Sequence, residues 1–206
     1  MRAGSLFAII LVTSGGCDLL FQIDRTAQAK PDAQPPDAFL PDAASVLGCS
    51  GNQIMLRPTA KITAAWELQA PPGSSAVDDV SDVVPDGDAT YIASKQDGAY
   101  DLFNHLPVMD STNIDSVVVW ARARVELSPM SSELGVAMVS GPAQPYDDRP
   151  VTTSYSDYSS RLYTVDPNTS ARWTVTGLNA MAFGVRKSYA DVRARVTQIW
   201  AVVACH

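Results

Sequence analysis

The run NIDSVVVWARARVEL, residues 113–127, decides the fold. Val117, Val119, Ala121, Ala123, Val125 and Leu127 fall on one parity, whereas Ser116, Arg122, Arg124 and Glu126 fall on the other. Successive side chains leave a strand on opposite sides, so this alternation is what a half-buried strand requires. A helix would instead repeat its apolar residues three and four positions apart. Residues 113–127 are therefore expected to form a long strand with one face on a core.

Shorter runs of the same period flank it, separated by Pro, Gly, Asp and Ser. They cover 53–57, 60–68, 89–94 and 99–103 before it, and 134–140, 151–155, 161–165, 181–187 and 191–204 after it. In the last run Val192, Ala194 and Val196 set one parity and Ile199, Ala201 and Val203 the other, so a bulge near Thr197-Gln198 is expected to reconcile them. After Cys49 the nearest thing to a helix is a turn around 176–181. Many strands without alternating helices predict an all-β, two-sheet antiparallel sandwich.

The N-terminal end reads differently. Arg2 precedes an apolar stretch, 6–12, far too short to span a bilayer, so 1–16 reads as a removable signal peptide. Ser14-Gly15-Gly16-Cys17 resembles the lipobox of bacterial lipoproteins, with Ser14 standing where that pattern usually has Leu. The resemblance implies diacylglyceryl on Cys17, acylation (palmitate) of the new terminus, and a lipid anchor in a membrane of the bacterial cell envelope, inner or outer being open. Ordinary signal cleavage with a free Cys17 is the alternative. From 17 to 47 the apolar period vanishes, and Pro31-Asp32-Ala33, Pro36-Asp37-Ala38 and Pro41-Asp42-Ala43 recur. Such a tract cannot bury enough to fold and reads as a disordered, semi-extended tether. At ~3.1 Å per residue it would reach at most roughly 90 Å.

With Cys17 taken by lipid, two of the three cysteines, Cys49 and Cys205, remain in an exported chain and are expected to form a disulfide. They bracket the domain 48–206, which favours a jelly-roll-like sandwich over an immunoglobulin-like one, whose cystine crosses the core mid-strand. The net charge of −7 argues against a nucleic-acid partner, which needs a basic surface.

A second resemblance rests on Arg57-Pro58-Thr59-Ala60, on Pro85-Asp86-Gly87-Asp88-Ala89-Thr90-Tyr91-Ile92, and on Phe183-Gly184-Val185 followed by Val192-Arg193-Ala194-Arg195-Val196-Thr197-Gln198-Ile199-Trp200. These stretches look like a β-sandwich domain of phage tail and virion-associated proteins. The resemblance implies a non-catalytic attachment or structural module and brings no active site.

The chemistry of the remaining residues points the same way. His105 and His206 lack metal-ligand spacing, and no Gly-x-Ser-x-Gly elbow occurs, so no enzyme is expected. Asp79, Asp82, Asp86 and Asp88 crowd one loop that reads either as a structural calcium site or as a solvated turn. Tyr146, Tyr155, Tyr158 and Tyr163 lie among acids and hydroxyls, and Tyr146, Asp157 and Tyr158 form a candidate ligand site, since aromatic faces and acids suit a sugar. Trp66, Trp120, Trp173 and Trp200 read as core or sheet-surface packing. The expectation is a cell-envelope lipoprotein displaying a non-catalytic module for a glycan or an envelope protein. The alternatives are a structural or assembly subunit of an envelope or virion-like complex and, behind it, a polysaccharide-active enzyme.

Overall fold

The computed structural model describes residues 47–49, 52–63, 65–69, 74–109, 113–127, 133–189 and 192–206. The expected signal peptide, Cys17 and the expected tether apart from Leu47 lie outside the described residues. Leu47 itself is bound to the sandwich through backbone hydrogen bonds to Pro107 and Met109, both 2.9 Å.

Eleven strands follow in chain order: β1 (Gln53–Leu56), β2 (Ala60–Lys61), β3 (Glu67–Gln69), β4 (Tyr91–Ser94), β5 (Tyr100–Asn104), β6 (Ile114–Val125), β7 (Glu133–Val139), β8 (Tyr146–Pro150), β9 (Ser156–Ser159), β10 (Ala182–Ser188) and β11 (Ala194–Cys205). They form a six-stranded sheet, β3-β4-β11-β6-β9 with β1 also on β11, and a five-stranded sheet, β2-β5-β10-β7-β8. Every named pair is antiparallel. The eight strands β4 to β11 lie in the orders 4-11-6-9 and 5-10-7-8, each step crossing between the sheets except the β7–β8 pair, which is a jelly roll. The expected sandwich is the one observed.

Residues 113–127 behave as their period demands. Val117, Val119, Ala121, Ala123 and Val125 are buried, and the residues between them lie half-exposed on the outer face. Leu127, expected on the inner face, lies past the end of β6 and is 71% exposed. On β11 the register against β6 shifts between Val196 and Gln198. That bulge turns Ile199, Ala201 and Val203 back to the interior, where they join Phe103, Leu134, Val136, Met138, Phe183 and Val185 in one core. Each large side chain so buried is worth about 1.5–3 kcal/mol relative to exposure.

Three expectations need correction. Residues 60–68 are not one strand: β2 and β3 belong to different sheets. The chain turns between them because Lys61 pairs with buried Asp101 at 2.8 Å while the Trp66 indole donates to the Ala99 carbonyl at 3.0 Å. Residues 151–155 and 161–165 are not strands either. The strands there are β8 and β9, whose residues are mostly polar and only partly buried, so their apolar period is silent. Tyr163 makes a single antiparallel bridge to Val117. Finally, a short helix α1 (Ala76–Val80) interrupts the acidic loop, capped reciprocally by Ser75 and Asp78. The turn expected near 176–181 is helix α2 (Val175–Asn179), capped by Thr174. The Cys49–Cys205 disulfide is formed.

Candidate functional site

The outer face of the five-stranded sheet is built from two rows of residues in register. One row runs Tyr100, Arg186, Gly135, Asp148 across β5, β10, β7 and β8; the next runs Leu102, Gly184, Ala137, Tyr146. Gly184, Gly135 and Ala137 therefore floor the middle of the sheet, Arg186 rises from it, and larger residues stand at the sides. A Cβ added to Gly135 would lie 3.1 Å from Arg186 Cβ, 3.2 Å from Tyr146 Cδ2 and 3.3 Å from Asp148 Oδ1. The glycine is what lets Tyr146 and Arg186 close over the sheet.

Above that floor the Arg186 guanidinium lies 4.3 Å from the Tyr146 ring centroid and 5.8 Å from that of Tyr100. The two rings meet edge to face at 6.5 Å, their planes 79° apart. Arg186 donates to Ser188 Oγ at 2.8 Å, and Ser188 Oγ donates in turn to the Asp148 carboxylate. This relay holds a cation, a hydroxyl and an anion in one line. Tyr189 follows β10 in the left-handed region, φ 70°, with its backbone N–H on Asp97 at 3.1 Å. A bulky residue seldom adopts that conformation, and here it leaves the phenol ring 57% exposed. Asp97, Tyr146, Asp148, Arg186, Ser188 and Tyr189 line a depression of about 230 Å³. Burial pushes the Tyr100 phenol up, with Tyr146 and Asp148 acting in the same direction and Arg186 against them, so it stays a neutral donor. Among the described residues none of the Tyr100, Tyr146 and Tyr189 hydroxyls has a hydrogen-bond partner. The groove thus offers ring faces, free phenols, one cation and two carboxylates to a polyhydroxylated ligand.

Of the three residues taken together as a ligand site, only Tyr146 lies in this groove, 40% exposed. Asp157 is on β9 in the other sheet, paired with Arg122 at 2.8 Å. Tyr158 is also on β9, packs against the core, and accepts the Thr152 backbone N–H at 3.0 Å. Proximity in sequence misled here because β8 and β9 cross from one sheet to the other. Tyr155 donates to Asp88 and Tyr163 to Asp147. Tyr100, Arg186, Ser188 and Tyr189 were missed. Their signal was the pair of mid-strand glycines, Gly135 and Gly184, which mark a close approach.

The four acidic-loop residues are spread over separate contacts. Asp88 takes a bidentate hydrogen bond from Arg124 and one each from Arg195 and Tyr155. Asp86 accepts from Thr90 at 2.6 Å. Asp82 gives its backbone carbonyl to Arg57 and Gln198. Asp79 is fully buried on α1. Among the described residues no three His, Cys, Asp or Glu side chains gather as a metal cage.

No protein-family model matches the chain. No curated protein matches it either. Solved structures similar to it include carbohydrate-binding modules. The C-terminal family 22 carbohydrate-binding module of Clostridium thermocellum Xyn10B shares 11% identity at TM-score 0.41, over 75% of this chain and 86% of that one. The xylan-binding module CBM15 shares 11% at TM-score 0.42, over 74% and 97%. The CBM22-1 xylan-binding domain of Paenibacillus barcinonensis Xyn10C shares 10% at TM-score 0.39, over 73% and 93%. These are likenesses of one β-sandwich to another.

Proposed function

We propose that this protein is a non-catalytic module that binds a glycan in the groove of its five-stranded sheet. The observation that carries the reading is Arg186 held between Tyr146 and Tyr100 over a glycine floor, with phenols that have no partner among the described residues and the Ser188–Asp148 pair beside it. Aromatic rings pack on the C–H faces of a sugar, and the surrounding donors and acceptors meet its hydroxyls. The groove's carboxylates are engaged by Ser188 and by the Tyr189 backbone N–H, which suits holding a ligand in place. The lipid anchor at Cys17 and the tether belong to the same proposal: they would display the module at the surface of the cell envelope.

An array of neutral and acidic oligosaccharides tests it. Binding to a defined glycan, weakened at least tenfold by Tyr146→Ala at an unchanged melting temperature, is the expected result. Silence across the array would sink the reading and return attention to an assembly role. Mass spectrometry of the mature N-terminus tests the anchor: acylated Cys17 is expected, and an unmodified terminus would remove it.

A further inference from the structure

The outer face of the six-stranded sheet carries a second concentration of aromatic surface, sharing no residue with the groove. Register sets Trp120 on β6 opposite Trp200 on β11, and Val118 opposite Val202. β9 lays Ser159 beside Trp120 and Asp157 beside Arg122. The two indoles are parallel to within 5°, their centroids 6.0 Å apart, and the Arg57 guanidinium lies 5.6 Å from the Trp200 centroid. Val118, Trp120, Asp157, Trp200 and Val202 line a shallow depression of about 450 Å³.

The four tryptophans divide cleanly. Trp66 and Trp173 are buried, and each donates its indole N–H to a backbone carbonyl, Ala99 and Tyr163, both at 3.0 Å. Trp120 and Trp200 are half-exposed, and among the described residues neither indole N–H has a partner. Tryptophan at a surface combines a large apolar face with a donor that seeks an acceptor. On this face two such donors, the 45% exposed Asp157 carboxylate and the cations Arg57 and Arg122 surround an apolar floor.

We propose that the Trp120–Trp200 face is a second glycan-binding face, so that one module holds two chains on opposite sides of the sandwich. The ligand class rests on the reading of the groove; the site itself does not. A glycan chain fits better than a second copy of this chain. Its hydroxyls supply acceptors for both indoles at once, whereas a copy would oppose indole to indole, with the Ser159 hydroxyl and Asp157, the latter already bound to Arg122, as the acceptors beside them. Two sites on opposite faces would also let the module cross-link chains.

Titration of the full chain with cellohexaose and with xylohexaose, flat chains that present C–H faces, decides the matter. The indole N–H NMR signals of Trp120 and Trp200 are expected to shift while those of Trp66 and Trp173 stay, and calorimetry is expected to give two sites per chain. Trp120→Ala should weaken one site at least tenfold and leave the other; Trp120→Phe should keep the fold and most of the stacking. If neither sugar moves the surface indoles while Tyr146-dependent binding persists, the second face is refuted and the groove stands. If the indole shifts survive Tyr146→Ala, the second face stands whatever becomes of the groove. If those signals move on dilution alone, with concentration-dependent sedimentation, the face is a contact between copies and the inference is overturned.

Discussion

Gly184 and Gly135 sit in mid-strand, and each is required by a different neighbour. A Cβ on Gly184 would stand 1.9 Å from the backbone oxygen of Asp101, which cannot move without breaking the β5–β10 pairing. Gly184→Ala is therefore expected to cost about 3 kcal/mol in urea unfolding, at the upper end of overpacking. At Gly135 the obstructing atoms belong to Tyr146, Arg186 and Asp148, so Gly135→Ala should cost only about 1 kcal/mol and instead distort the groove, weakening the proposed glycan binding about tenfold. Asp79 makes a prediction of another kind. Burial pushes its carboxyl up, Asp78, Asp86 and Asp82 push the same way, and the Ser74 hydroxyl acts against them. An acid whose folded pKa is raised binds its proton more tightly in the native state, so its contribution is present below its unfolded pKa and is lost as pH rises through the folded one. Asp79→Asn should thus melt higher than wild type at pH 7 and converge with it toward pH 3.5. A constant difference across that range would contradict the assignment.

At the scale of elements, β11 carries the most. It lies between β6 on one side and β4 and β1 on the other, and its bulge is what keeps both halves facing the core. The side-chain period of a strand is two, so a one-residue change inverts everything beyond it. Thr197 is itself the extra residue, opposite no residue of β6, and without it Val196, Ile199, Ala201 and Val203 alternate regularly. Deleting it should therefore close the ladder, Val196 on Ala123 and Gln198 on Arg122, and keep a dispersed amide spectrum, whereas a collapsed spectrum would remove the bulge from the account. This feature was legible because the apolar parity changes within a single run. β8 and β9 were not legible, because their stability comes from pairing with β7 and β6 rather than from an apolar face of their own. The helix α1 hides for a related reason: five residues carry no period, and only the Ser75–Asp78 cap announces it.

At the scale of the whole molecule, the Cys49–Cys205 bridge joins the entry of the domain to the end of β11, across 156 residues. Closing so long a loop restricts the unfolded chain, and replacing both cysteines by serine is expected to cost up to roughly 5 kcal/mol, read as a lowered urea midpoint. The amino-acid sequence by itself determined the strands with strong parity, the bulge and the bridging cysteine pair, because each depends on local alternation or on counting. It also determined that the fold is a sandwich, since so many amphipathic strands must bury one face against another sheet. Which aromatic residues share a surface was decided only by the tertiary structure. Tyr146 and Tyr158, twelve positions apart, part company because the chain crosses between sheets after β8. Tyr100, Tyr146 and Arg186 meet because antiparallel register brings distant strands side by side. Register depends on the packing of both sheets at once, and no local pattern contains it.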